Sequence, residues 1–269
     1  MASLDAHYSA GGIEGRILDA LRAAGLDPDR RLSPVALGAL DHFHTGGLPA
    51  SRDLMELAQV GGDDRVLDIG AGLAGPARML ASTLGCRVDC IDMSADFCAG
   101  AALLNRLTGL DDHIGIHRGS ALDLPFPADS FDVAWMQNVG MNIADKRKLY
   151  AEIRRVLKPG GRFAFQEMAA GTAATSHFPL PWATEPADSH LVSADEMRSL
   201  LGEAGFGTGM LEDTSEAHLS RTAANATPAA PGQLGLAVYV DDLARKAANA
   251  RRSLEEGQVR LVRGVFRAN

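Results

Sequence analysis

Three glycines and one aspartate carry the most specific chemistry in this chain. In Arg65-Val66-Leu67-Asp68-Ile69-Gly70-Ala71-Gly72-Leu73-Ala74-Gly75, a short β-branched run ends around Asp68. Glycines follow at 70, 72 and 75, and a helical pattern then begins. A strand feeding a glycine turn into a helix N-terminus brings backbone close to a nucleotide-like ligand. Glycine suits the turn because a Cβ would block it and keep the ligand away. The spacing is shared by many nucleotide-binding turns, so Asp68 is the residue that discriminates. A carboxylate two residues before the first glycine repels a pyrophosphate and suits a positively charged amine. The expected ligand is therefore nucleoside-like and cationic, not a dinucleotide.

Such a turn needs a sheet behind it. The pattern predicts strands over 65–69, 86–91, 114–118, 131–135 and 161–168, alternating with helices over 75–83, 94–107 and 143–157. That alternation argues for a parallel, doubly wound α/β sheet. Pro159-Gly160-Gly161 is expected to stop the last of these helices. Upstream, Ile13, Ile17, Leu18 and Leu21 mark an amphipathic helix over Gly12–Ala24, and Ser33-Pro34 opens a second, short one. After the fifth strand the rhythm breaks. Residues 169–192 combine Pro179, Pro181 and Pro186 with His177, Phe178, Trp182 and His190, which reads as a packed lid. A helix over 194–203, a strand over 206–213, a loop over 222–232, a helix over 237–256 and a strand over 258–267 follow. Residues 1–60 are expected to form an N-terminal helical cap, and 61–269 the main domain with the lid inserted.

Val66-Leu67-Asp68-Ile69-Gly70-Ala71-Gly72 resembles the first motif of class I S-adenosylmethionine-dependent methyltransferases. Further similarity follows in chain order. Cys86–Ser94 resembles the second strand of that family, ending in an acid. Leu122-Asp123-Leu124-Pro125-Phe126 with Phe131-Asp132 resembles its signature before the fourth strand, and Leu149–Phe163 its helix, turn and fifth strand. Asp41–Gly47, Gln137–Lys146 and Phe178–Ala183 are similar to the type 11 branch, which includes sarcosine/dimethylglycine N-methyltransferase-like enzymes. The resemblance implies a seven-stranded, mostly parallel Rossmann-like sheet. It also implies S-adenosylmethionine as methyl donor, S-adenosylhomocysteine as product, a small-molecule acceptor and no metal.

Roles follow from that resemblance. Asp68 would accept the donor's ammonium, while Gly70, Ala71 and Gly72 admit its methionyl part. Asp92, at the end of the second strand, would accept the ribose hydroxyls, and Met93 would lie against the adenine. Many relatives carry an aspartate where this chain has Ser120; here Ser120 and the amides near Ala121 and Leu122 would meet the adenine edge. Tyr8 would cap the site. Gln137 and Asn138 follow the fourth strand, where cofactor and substrate meet. Many relatives carry a histidine in place of Asn138, so a base is not expected there. His44, with Gln137 and Asn138, is the candidate for positioning or proton transfer. His42, Met141, His177, Phe178 and Trp182 are candidates for the substrate wall. The i, i+2 spacing of His42 and His44 fits a metal poorly.

The chain has 269 residues, 46% apolar, and a formal net charge of −8. That charge disfavours nucleic acid, and no apolar run has membrane-spanning length. Arg245, Lys246, Arg251, Arg252, Arg260, Arg263 and Arg267 form a local basic stretch, read as a solvated helix face and a charge-guarded edge strand. Cys86, Cys90 and Cys98 lack metal or redox spacing, and Cys86 and Cys90 read as small core residues. A cytoplasmic monomer or homodimer is expected. The leading expectation is methyl transfer to an amine nitrogen, because a neutral amine brings its own lone pair. O- or C-methylation of an aromatic or quinone-like metabolite stays open, as does S-adenosylmethionine binding without catalysis. A nicotinamide dehydrogenase is opposed by Asp68.

Overall fold

The computed structural model describes residues 12–173, 177–224 and 234–269, so Tyr8 lies outside the described residues. Strands β1 (Arg65–Ile69), β2 (Arg87–Asp92), β3 (Ile114–Arg118), β4 (Phe131–Gln137) and β5 (Leu157–Ala170) pair in parallel. β7 (Val259–Arg267) lies antiparallel between β5 and β6 (Met210–Asp213). The sheet has seven strands in the order β3-β2-β1-β4-β5-β7-β6. Strand order reverses between β1 and β4, which opens a crevice at their C-terminal ends.

The sheet is buried on both faces, so its central strands are continuous apolar runs and do not alternate. Val133, Ala134, Trp135 and Met136 of β4 are all fully buried. One face packs on α3 (Gly47–Ala58) and α4 (Gly75–Leu84); the other packs on α6 (Lys146–Val156) and α7 (Ala194–Glu203). Cys86 and Cys90 belong to the first of these cores. A third cluster joins α1 (Ile13–Ala23) and α2 (Gly38–Asp41) to α5 (Ala95–Thr108) through Ile13, Ile17, Leu21, Leu40 and Leu104. A fourth lies over β5 and β7, where the lid meets α8 (Ser215–Ala224) and α9 (Leu243–Glu255).

Several boundaries differ from expectation for local reasons. The helix expected from 143 begins at Lys146, because the Asp145 carboxylate caps it by accepting from Lys148 N at 2.9 Å. Pro159-Gly160-Gly161 is not a simple helix stop. It lies within β5, where Phe131 pairs with Leu157 but Val133 pairs with Arg162, so the intervening residues bulge. The basic C-terminal strand is not an edge, since β7 is covered by β6. Its charges are paired: Arg263 meets Glu212 at 3.2 Å, and Arg260 approaches Asp213 at 3.8 Å. α3 and α8 were not anticipated. α8 runs through 222–224 of the expected loop, and 225–233 lie outside the described residues.

Candidate functional site

A cavity of about 740 Å³ opens at the C-terminal ends of β1, β2, β4 and β5. Asp68, Gly70, Ala71, Gly72, Asp92, Met93, Ser120, Ala121, Leu122, Gln137 and Asn138 all line it. Burial, and then the charge of Asp92, push the Asp68 carboxyl up to about 7, against the opposing pull of Arg78. Its Oδ2 is buried and has no hydrogen-bond partner among the described residues. An orphaned carboxylate oxygen is costly unless a cationic donor satisfies it. Arg78 cannot serve, because its guanidinium is committed to Asp41, Asn105 and the Leu73 carbonyl.

Asp92 has a different setting. Its Oδ2 accepts from Gly72 N and its Oδ1 from Ser94 N, each at 2.9 Å, which aims the carboxylate. Ser94 caps α5 by accepting from Phe97 N, so Asp92 is not needed there. The turn amides are therefore not ligand donors. Gly70 N and Ala71 N both donate to Ile91 O, and Gly72 N is given to Asp92. Gly70 is required for its φ of 68° and because a Cβ would lie 2.4 Å from a Val139 methyl. Ser120 Oγ accepts from Leu122 N at 3.1 Å, which removes the Leu122 amide from the adenine edge.

His44 sits in a closed ring of hydrogen bonds. Trp135 Nε1, which can only donate, gives to Gln137 Oε1 at 3.0 Å and so fixes the amide orientation. Ser51 Oγ also donates to Gln137 Oε1, at 3.0 Å, and therefore accepts from His44 Nε2 at 2.9 Å. Gln137 Nε2 then donates to His44 Nδ1 at 3.3 Å. The imidazole is thus the neutral Nε2–H form. Burial, followed by repulsion from His42, brings its pKa down to about 3. His44 and Gln137 are held in place by this ring, with both imidazole nitrogens engaged. Because the folded pKa lies below the unfolded one, this contribution to stability is complete above about pH 6.5 and fades as pH falls towards 3. Ser51→Ala should lower stability by about 1–2 kcal/mol in chemical denaturation, since it strands a buried ring N–H.

Asn138 is likewise occupied. Its backbone takes φ 55°, a left-handed conformation that Asn tolerates better than most residues. Its side chain donates to Thr45 Oγ1 at 3.2 Å and accepts from Gln166 Nε2 at 3.2 Å. Gln166 in turn holds Thr45 O at 2.7 Å. The 44–46 segment is thereby tied to the ends of β4 and β5.

Residues 67–165 match the family described as a methyltransferase domain. Those residues form a methyltransferase domain. Asp68 Oδ2 offers this cavity a buried carboxylate oxygen suited to a cationic group, and Asp92 lines the same crevice. A glycine/sarcosine/dimethylglycine N-methyltransferase of Actinopolyspora halophila is 38% identical over 112 residues, covering 42% of this chain and 20% of that protein. Methyltransferase GfsG of Streptomyces halstedii is 29% identical over 185 residues, covering 66% of this chain and 65% of that one. The chain thus aligns with less than two thirds of either. Geranyl diphosphate C-methyltransferase from Streptomyces coelicolor A3(2) shares the fold, with a TM-score of 0.70 at 19% identity, over 100% of this chain and 97% of that one.

The rest of the cavity wall comes largely from beyond the matched residues. Met141 and Trp182 line it as expected, and Trp182 Nε1 is satisfied within the lid by Ser189 Oγ at 3.0 Å. His42, His177 and Phe178 do not line it. His42 is buried against Asp41 Oδ1 at 2.7 Å, His177 pairs with Glu256 at 2.7 Å, and Phe178 packs into the cluster beneath the lid. Lid loops do not announce which side chains turn inward. Met168, His190, His218, Leu219, Arg251 and Leu254 complete the wall.

Glu167 and Lys146 hold that wall in place. Glu167 Oε1 accepts from Val139 N at 2.9 Å and Gly140 N at 2.8 Å, while burial pushes its pKa up to about 7. Lys146 Nζ donates to the carbonyls of Gly140, Ile143 and His190. Burial brings Lys146 down to about 8, partly countered by Glu167. His190 N also donates to Met141 O at 2.8 Å, so the backbone at His190 is fastened to the segment after β4. Among the described residues, no cluster of three His, Cys, Asp or Glu is placed to hold a metal ion, and no helix is long and apolar enough to cross a membrane.

Proposed function

We propose that this chain transfers the methyl group of S-adenosylmethionine to a hydroxyl oxygen on a small, predominantly apolar molecule. The observation that carries this is the wall opposite Asp68 and Asp92. Met141, Met168, Trp182, Leu219, Ala250 and Leu254 line the cavity and belong to one apolar cluster. Among the described residues that line the cavity, the sole Lys or Arg is Arg251, whose Nε donates to Glu255 at 2.7 Å. An amino-acid acceptor would bring a carboxylate into this wall and call for an uncommitted cation. The cavity therefore favours an uncharged acceptor over an amino acid. A hydroxyl, unlike a neutral amine, must lose a proton, and the wall includes imidazoles that can receive it.

When bound, S-adenosylmethionine supplies a methyl carbon already activated by its sulfonium. The chain's residues then orient the donor through Asp68 and Asp92 and exclude water with Trp182 and the pinned lid. The relative from Actinopolyspora halophila supports a second reading, N-methylation of a small amino acid. A tritiated-methyl assay decides between them, with phenols, apolar alcohols, sarcosine and dimethylglycine as acceptors. Labelled ethers are expected. Transfer confined to sarcosine or dimethylglycine would overturn the proposal.

A further inference from the structure

We infer that His218 is the general base of this methyl transfer, receiving the acceptor's hydroxyl proton as its oxygen attacks the methyl carbon. The inference rests on the oxygen-acceptor reading above.

The choice follows from what the acids and imidazoles of the cavity wall, Asp188 and His190 apart, are already doing. Asp68 faces the donor's cation, and Asp92 is held by Gly72 and Ser94 at the end of β2. Asp41 is bound by Arg78 and His42, and Asp145 caps α6. Both ring nitrogens of His44 are taken by Ser51 and Gln137. His218 differs. It lines the cavity from the first half of α8, and no described group hydrogen-bonds its ring. Its Nδ1 lies 3.9 Å from the point a Cβ on Gly46 would occupy. Gly46 follows Thr45, which Asn138 and Gln166 clamp to the ends of β4 and β5. The ring is thus placed where the apolar wall meets the strand ends, in contact range of Gly46.

Its surroundings also keep it neutral. Burial, then Arg221 on its own helix and Arg251 on α9, hold its pKa below the ordinary histidine value. Arg221 is balanced by Asp53 of α3 at 2.9 Å, and Arg263 of β7 by Glu212 and Asp53. From the lid, Asp188 and His190 share the cavity; from the 42–46 segment, His44 does. His190 is the rival base. Its backbone is pinned by Met141 O and Lys146 Nζ, whereas His218 stands beside Gly46 on the clamped 44–46 segment.

In the step itself the acceptor's O–H bond breaks and its proton goes to the imidazole lone pair of His218. An oxygen lone pair forms the O–CH3 bond. The methyl–sulfur bond breaks with its electrons on sulfur, giving neutral S-adenosylhomocysteine. The imidazolium then returns its proton to water.

The test compares wild type, His218→Gln, His218→Asn and His190→Gln, using phenols graded in acidity and S-adenosylhomocysteine affinity as the check on folding. Loss of a general base costs about 100-fold or more in kcat. The His218 variants should show that loss with weakly acidic phenols, a much smaller loss with nitrophenols already ionised, and partial rescue by added imidazole. S-adenosylhomocysteine should bind them as it binds wild type. A loss equal across all phenols, no loss, or the acidity-dependent loss appearing in His190→Gln would overturn the role of His218 and leave oxygen methylation standing. A wild-type enzyme that methylates only nitrogen, or none of the hydroxyls, would overturn both.

Discussion

Asp68→Ala should weaken S-adenosylhomocysteine binding by about 100-fold or more, on the order of 3 kcal/mol, because truncating one partner of a buried charge pair strands the other. The same change should leave the unliganded protein as stable as wild type or more so. The reason is that Oδ2 of Asp68 is buried without a partner, and the charged carboxylate is held at the expense of the unliganded fold. The sign follows from linkage. The folded pKa of about 7 lies above the unfolded value of 3.8, so the native state binds the extra proton between them. The unliganded fold therefore loses stability through this group as pH rises from about 4 to about 7. A capping or turn aspartate would behave in the opposite way, since its removal would destabilise the free protein. Thermal denaturation with and without ligand separates the two.

The same carboxylate sets a pH dependence on binding. An ammonium partner needs Asp68 ionised, so below about pH 7 the ligand must displace a proton. Affinity measured calorimetrically should fall by about tenfold per pH unit as pH drops from 7 towards 5. In Asp68→Asn that slope should vanish. A wild-type affinity flat from pH 8 to 5 would mean that Asp68 does not carry the ammonium.

The placement of Asp68 and Asp92 at the crevice was readable because both are tied to strand ends. Asp68 falls in β1 two residues before a glycine turn, and Asp92 closes β2, so residue type and spacing place both at the crevice. The purpose of individual glycines was less accessible. Gly75 is needed for packing: a Cβ there would lie 2.1 Å from Asp41 O, in a segment more than thirty residues away. The substrate half carries no local signature. Its wall is drawn from the lid, α8 and α9, and α8 lies in a stretch whose pattern did not declare a helix. His44 illustrates the same limit. Two histidines beside paired glycines look reactive, yet the partners that lock His44 are Ser51 on α3 and Gln137 at the end of β4. A hydrogen-bond ring closed across that separation leaves no periodic trace, so the reactive appearance and the held state are indistinguishable until the fold is known.

Arg78 should give the largest loss of stability. It is fully buried on α4, with Nε and one terminal nitrogen on Asp41 Oδ2 at 3.2 and 2.8 Å, and the other on Asn105 at 2.8 Å. Asp41 is 2% exposed and ends α2, directly before the segment that carries His44 and Thr45. Arg78→Met leaves the Asp41 carboxylate buried with only His42 beside it, which costs about 3–5 kcal/mol. Replacing both partners by apolar residues of similar volume removes the stranded charge, so Arg78→Met with Asp41→Leu should recover much of the loss. Two different readouts should separate in this series. Denaturation midpoints should follow the stranded charge, being worst in the single variant. Acceptor KM should stay raised even in the stabilised double variant, because Asp41 no longer anchors the 42–46 segment against α4. If KM returned with stability, the pair would serve the fold alone. A KM that stays high would show that a buried ion pair on the cofactor side sets the geometry of the acceptor side.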